Sequence, residues 1–105
     1  MFSGGDYHEV GRWLLNFVAA HAKREWTTAE AVVETAGPRE GRSYGVRLQL
    51  GQRRLPPEDQ EPIELSFSDV AARRGSLAWC HDLAARVRGL VRELVAASQG
   101  ARQRG

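Results

Sequence analysis

The segment from Leu77 to Val95 constrains the fold most, because its apolar residues follow the period of an α-helix. Apolar side chains recur along it at spacings of three and four, which is typical of a helix with one buried face. The face spans nearly half of the circumference, so we expect this helix to cover a sheet and to contact a second helix as well. It is formed by Leu77, Cys80, Leu83, Ala84, Val87, Leu90, Val91, Leu94 and Val95.

The start of this helix is predicted at a break in the chain. If the helix began at Asp69, its period would place Arg73 inside the apolar face, which is unfavourable for a charged side chain. A break at Gly75, with Ser76 as the N-cap, avoids that placement. If Gly75 has a positive φ at this break, its replacement by alanine should be harmful.

A second helix is predicted over residues 6–24. Asp6 is a favourable N-cap, and Glu9 three residues later completes the pattern of a capping box. One apolar stripe follows at spacings of three and four. It consists of Val10, Trp13, Leu14, Phe17 and Val18.

Two segments alternate between apolar and polar residues as half-buried strands do, namely residues 44–50 and 63–68. Residues 27–36 fit either a strand or a helix that ends at Gly37-Pro38. The strand is favoured, because two strands alone are marginally stable and a third makes a usable sheet. Residues 51–62 contain three prolines and predict a long polar loop.

These elements predict an α+β fold with two layers and the order α-β-β-β-α. The sheet is expected to be an antiparallel three-stranded meander with both helices packed on one face. A chain of 105 residues has room for one core, so residues 1–97 are predicted to form a single domain. Residues 98–105 lack an apolar pattern and are predicted to form a flexible tail that contains arginines.

The sequence offers no set of residues for catalysis, for a metal or for a cofactor. Cys80 and His81 are neighbours in a helix and point in different directions, and Cys80 is expected in the core. One cysteine and scattered histidines do not make a zinc site. The acidic residues at 58–61 indicate a solvated loop. Glycine motifs that bind phosphate are missing from the sequence. We therefore expect a protein that is not an enzyme and binds no cofactor.

Charge is distributed unevenly along the chain. Residues 1–70 carry 8 basic and 11 acidic side chains, whereas residues 71–105 carry 7 basic and 2 acidic ones. Fourteen of the 15 basic residues are arginine, a bias that suits phosphate binding but also follows from a GC-rich, bacterial-like composition. The candidate nucleic-acid contacts are Arg73, Arg74, Arg88, Arg92, Arg102 and Arg104. A helix face that is only solvated would show the same basic residues.

Residues 37–51 resemble the central hairpin of the double-stranded RNA-binding domain family. Gly37-Pro38, a five-residue spacer and Tyr44 followed by alternating aliphatic residues are similar to that family's hairpin, and the order of elements is similar too. The chain departs from the family where its members hold phosphate. Arg39-Glu40 stand in place of a histidine, and residues 69–72 lack a lysine-rich helix start.

The favoured function is a small interaction module that binds a protein partner, with a homodimer as the expected form. Many large rings for a thin two-layer domain indicate either an interface, where aromatic side chains are enriched, or a core that takes all of them. Trp79 and Leu90, at one margin of the last helix, are the expected contacts. The competing interpretation is that the first helix folds over this margin and leaves nothing exposed. The alternative is an RNA- or DNA-binding protein. A single cysteine and no secretory signal or long apolar stretch predict a cytoplasmic protein without a membrane partner.

Overall fold

A computed structural model describes the backbone of residues 6–104 and the side chains of residues 6–99. The described residues form three α-helices, four strands and a short 3-10 turn at Gly37–Arg39. In chain order the elements are α1 (Tyr7–Glu25), β1 (Glu30–Glu34), β2 (Ser43–Leu50), β3 (Arg53–Leu55), β4 (Ile63–Ser66), α2 (Phe67–Arg73) and α3 (Leu77–Arg104).

The sheet is antiparallel and is built around β2. β1 pairs along one side of β2, with Ala31 opposite Leu48 and Val33 opposite Val46. The short strands β3 and β4 share the other side, where β3 pairs with the end of β2 and β4 with its beginning. The sheet is therefore three strands wide, as the meander predicts, and its third position is divided between β3 and β4.

The core lies between one face of this sheet and the helices. Alternate side chains of β2, namely Tyr44, Val46 and Leu48, are fully buried there. They belong to one apolar cluster with the buried faces of α1 and α3. The α+β fold class and the two-layer arrangement predicted from the sequence are confirmed.

The first helix begins as expected. The Asp6 carboxylate accepts a hydrogen bond of 2.7 Å from the backbone N–H of Glu9, so an N-cap side chain satisfies one free donor of the first turn. The helix then runs to Glu25, one residue beyond the predicted end. Residues 30–34 form a strand, which resolves the ambiguity of the 27–36 segment.

Part of the predicted loop at residues 51–62 belongs to the sheet, which corrects that interpretation. Leu50 pairs with Arg53, so only Gly51 and Gln52 form the turn between β2 and β3. Gly51 has a φ of +63°, which a glycine adopts without strain in a two-residue hairpin turn. All three prolines lie after β3, so they do not interrupt its pairing.

The last helix continues beyond Ala97, where the sequence predicts a tail. Its backbone is helical through Arg104, since alanine, arginine and glutamine favour helices and no proline stops them. The flexibility of residues 98–105 stays a prediction. At the other end, Ser76 precedes α3 as expected, and its hydroxyl accepts from the backbone N–H of Trp79 at 3.3 Å.

Candidate interaction surface

The seam between α1 and α3 brings together the large rings that the sequence offers as interface residues. Trp13 of α1 stacks on Trp79 of α3, with ring centroids 6.4 Å apart and an interplanar angle of 28°. Trp13 also stacks on Phe17 at 5.1 Å, and Phe17 lies 4.6 Å from the ring of His21. Spacings of four residues on α1 place these rings in one row.

Each of the three large rings in this row is partly exposed. Trp13, Phe17 and Trp79 pack against the core cluster, yet each of them is only half-buried. We call this set the aromatic row. The first helix thus contacts the margin of α3 at Trp79, as expected if α1 folds over this margin. It does not cover the margin completely, because Trp79 stays partly exposed.

Leu90, the second predicted contact, is also half-buried and packed against the core. Eleven residues are close to three helical turns, so Trp79 and Leu90 lie on the same side of α3, about 16 Å apart along its axis. The structure therefore places both predicted contacts on one side of the helix.

Leu77 departs from the expected position in the apolar face. Leu77 is 89% exposed, although Trp79 in the same turn packs against the core. Leu77 and Trp79 are two positions apart in the helix, so their side chains point to nearly opposite sides of it. Leu15 and Trp26 are the other exposed large apolar residues among those described, at 38% and 41%.

Cys80 is half-buried rather than fully enclosed. Its thiol donates to the carbonyl oxygen of Arg74, with Sγ and O 3.3 Å apart. This contact joins the first turn of α3 to the end of α2, so the thiol has a structural partner.

Four of the six candidate nucleic-acid contacts have described side chains, and these four are divided between two helices. Arg73 and Arg74 end α2, whereas Arg88 and Arg92 lie about 16 to 22 Å along α3 from its first residue. The guanidinium Nε of Arg92 is 3.0 Å from a carboxylate oxygen of Glu25 on α1, so this arginine has an acidic partner.

The other members of that set differ in accessibility. Arg73 is exposed, Arg74 is half-buried, and the Nε atom of half-buried Arg88 is enclosed without a described hydrogen-bond partner. The side chains of Arg102 and Arg104 lie outside the described residues.

His21 lies beside Phe17, at the end of the aromatic row that is farthest from Trp79. Burial lowers its pKa, and the cationic side chains of Arg24 and Arg88 lower it further. The ring atom Nδ1 is enclosed and, within the described residues, has no hydrogen-bond partner. The neutral form of His21 is therefore favoured in the folded protein.

The outer face of the sheet holds an ion-pair network that sequence reasoning did not find. Arg47 on β2 is 6% exposed, and its Nε donates to a carboxylate oxygen of Glu34 at 2.8 Å. One terminal nitrogen of the same guanidinium donates to the carbonyls of Pro56 and Pro57 at 2.8 and 2.6 Å. These bonds hold the proline-rich segment against the sheet.

Arg39 completes this network from the connection between β1 and β2. Its Nε lies 3.1 Å from a carboxylate oxygen of Glu64 on β4. The guanidinium passes over Gly45, where an added Cβ would be 2.8 Å from the Nε of Arg39 and 2.7 Å from Pro62. In the sequence, a glycine inside an alternating strand is the feature that indicates such a close approach of another group to the backbone.

The acidic residues of the proline-rich segment also take arginine partners. Glu58 accepts from Arg54 at 2.6 Å, and a carboxylate oxygen of Glu61 is 3.7 Å from Arg39. Among the residues that the structure describes, no group of three His, Cys, Asp or Glu side chains is placed to hold a metal ion. In the same part of the chain, none of the helices has the length and apolar character needed to cross a membrane.

Comparison with protein-family models, with curated proteins and with solved structures finds no match for this chain.

Proposed function

We propose that this chain is a small, non-enzymatic interaction module that associates with a second copy of itself through the side of α3 that carries Trp79 and Leu90. The observation that carries the proposal is the aromatic row, whose large rings stack in a seam and stay partly exposed. Tryptophan is enriched among the residues that dominate binding energies at protein interfaces.

A two-fold dimer suits such a surface. Closed two-fold pairing is the commonest assembly of identical chains, and it places the same residues of both copies at the contact. Leu90, three turns from Trp79, would extend the apolar contact along α3. The cytoplasm is the compartment we propose, on the ground that a lone cysteine suits a reducing environment.

Sedimentation equilibrium tests this proposal with a matched pair of leucine substitutions. Wild-type protein at high micromolar concentration is expected to have the mass of two chains. Leu90→Ser and Trp79→Ala should shift the mass toward one chain, because both remove apolar surface from the proposed contact. Leu77→Ser is the control, since that leucine is 89% exposed and points away from the contact.

Circular dichroism must show that all three variants remain folded. A wild-type mass of one chain contradicts the proposal. The proposal is also contradicted if Leu77→Ser is monomeric while Leu90→Ser remains dimeric. The interface would then lie at the beginning of α3. Monomeric protein that binds RNA or heparin in a salt-dependent way would instead favour the nucleic-acid alternative.

A further inference from the structure

The free edge of β1 lies beside a groove that the proposed self-association does not use. β1 pairs with β2, and no other strand of the described residues pairs with it. Four of its five residues are half-buried, so the strand is only partly covered. An edge strand presents unpaired N–H and C=O groups along its length, which can pair with another extended chain.

The groove runs between this edge and the side of α1 that faces away from α3. It has a volume of about 290 Å³. Val33 of β1 and the 38% exposed Leu15 of α1 give it apolar walls. The residues that line it are Tyr7, His8, Gly11, Arg12, Leu15, Val33 and Thr35.

The helix wall of the groove is basic. Arg12 and His8 are exposed there, and neither forms an ion pair with a described carboxylate. Lys23, farther along α1, donates to the carbonyl of Ala29, directly before the first residue of β1. The acidic residues of β1, Glu30 and Glu34, belong to the opposite face of the sheet, since side chains alternate along a strand.

We propose that β1 binds an extended segment of a partner protein as an additional strand, and that an acidic side chain of this segment contacts Arg12. Main-chain hydrogen bonds to a strand edge supply affinity in this mode of recognition, and alternate side chains in a flanking groove supply specificity. An acidic and aliphatic segment complements the basic wall and the apolar contacts of Leu15 and Val33. A second β1 fits less well, because its two glutamates would lie on the face away from Arg12.

A capped heptapeptide with valine, glutamate and valine at its second, fourth and sixth positions and threonine elsewhere is the probe for this site, because alternate side chains of a strand share one face. A version with lysine in place of the glutamate is its counterpart. Titration of isotope-labelled protein followed by amide NMR should shift residues 30–35 and the groove side of α1. Amide exchange in β1 should become slower when the glutamate peptide is bound. The lysine peptide should bind more weakly.

Charge reversal at the groove separates this site from others. Arg12→Glu should weaken binding of the glutamate peptide about fivefold, since one attractive pair becomes a repulsive one at an exposed position. Arg86→Glu is the control, because Arg86 is exposed on α3 and outside the groove. Equal affinity of the two variants overturns the proposal.

Other outcomes also decide the matter. Absence of binding at millimolar peptide, equal binding of the two peptides, or shifts that map to another surface would each overturn it. Concentration-dependent protection of β1 without peptide would assign the edge to a second copy. The mass measured for the Leu90 and Trp79 variants does not depend on any of these results, so the two proposals can fail separately.

Discussion

Tyr44 illustrates how a single buried side chain orders its surroundings. Its ring stacks on Tyr7 at 4.7 Å with an interplanar angle of 6°. Its hydroxyl donates to the carbonyl of Tyr7 at 2.6 Å, and the Tyr7 hydroxyl donates to the carbonyl of Ser43 at the same distance. Burial raises the pKa of Tyr44 to about 12, so the hydroxyl stays protonated and keeps donating at neutral pH.

Gly11 makes room for that ring, and this leads to a prediction about its replacement. A Cβ at Gly11 would lie 2.9 Å from Cε1 of Tyr44. Gly11→Ala is therefore expected to reduce the free energy of unfolding by about 1 to 3 kcal/mol, because a packed core resists added volume. Urea denaturation followed by circular dichroism measures the change.

Gly89 is the matched control for Gly11. It also lies inside a helix, but a Cβ there would meet no atom within 4 Å. Gly89→Ala should stabilise the protein by about 0.5 to 1 kcal/mol, as alanine does in an unobstructed helix. If Gly11→Ala stabilised the protein as much as Gly89→Ala does, the contact with Tyr44 would not limit the site.

At the scale of elements, the junction between α2 and α3 shows which part of the predicted break was right. Ser76 caps α3 and its own N–H donates to the carbonyl of Arg73 at 2.8 Å, so the chain turns without a gap in hydrogen bonding. Gly75, however, does not have a positive φ, in contrast to Gly37, Gly41 and Gly51. The chain therefore turns here without a left-handed glycine, and Arg74 before it has right-handed backbone.

The cap and the glycine of this junction should respond differently to alanine. Ser76→Ala is expected to cost about 1 kcal/mol, because a donor of the first turn loses its acceptor. Gly75→Ala should be neutral or slightly stabilising, since its backbone is unstrained and no atom lies within 4 Å of the added Cβ. Thermal and urea unfolding of both variants test the pair. A large loss of stability in Gly75→Ala would contradict this description of the turn.

At the scale of the whole molecule, the seam between α1 and α3 links stability to pH through His21. Burial, together with Arg24 and Arg88, lowers the pKa of this histidine in the folded protein. The unfolded chain has the ordinary value of about 6.5, so it binds a proton at a higher pH than the folded chain does. The contribution of His21 is therefore to reduce stability as the pH falls below about 6.5, until the folded form is protonated as well.

Urea unfolding of wild-type protein and of His21→Gln at pH 7.5 and pH 5.5 tests this linkage. The variant should lose less stability than wild type between these two pH values, because it cannot take up the proton. Asn16→Gln is the control, since Asn16 is exposed on α1 and neither side chain titrates. An unchanged pH dependence in His21→Gln would show that other groups cause it.

The network on the outer face belongs to this scale as well, because it joins segments that are distant in sequence. Arg39 contacts a glutamate 25 residues away, and Arg47 holds carbonyls 9 and 10 residues beyond it. These bonds keep the proline-rich segment on the sheet, so the outer face is closed by charged and polar groups rather than by a further apolar layer.

The sequence by itself determined the elements whose patterns are local. The periods of α1 and α3, the alternation in β2 and β4, and the caps at Asp6 and Ser76 depend on residues within a few positions of one another. The alternation was extended too far at residues 67–68, which begin α2 after the cap at Ser66. Because those neighbours decide backbone preference and the buried face, the α+β class could be predicted without the structure.

Only the tertiary structure decided what covers each face. The stacking of Trp13 on Trp79 and the pairing of Glu25 with Arg92 join residues 66 and 67 positions apart, and no local period encodes such contacts. The exposure of Leu77 was missed for the same reason, since a helical period identifies the apolar side of a helix but not which of its residues a neighbouring element covers. Burial depends on the three-dimensional neighbours of a side chain, and these are set when the layers pack.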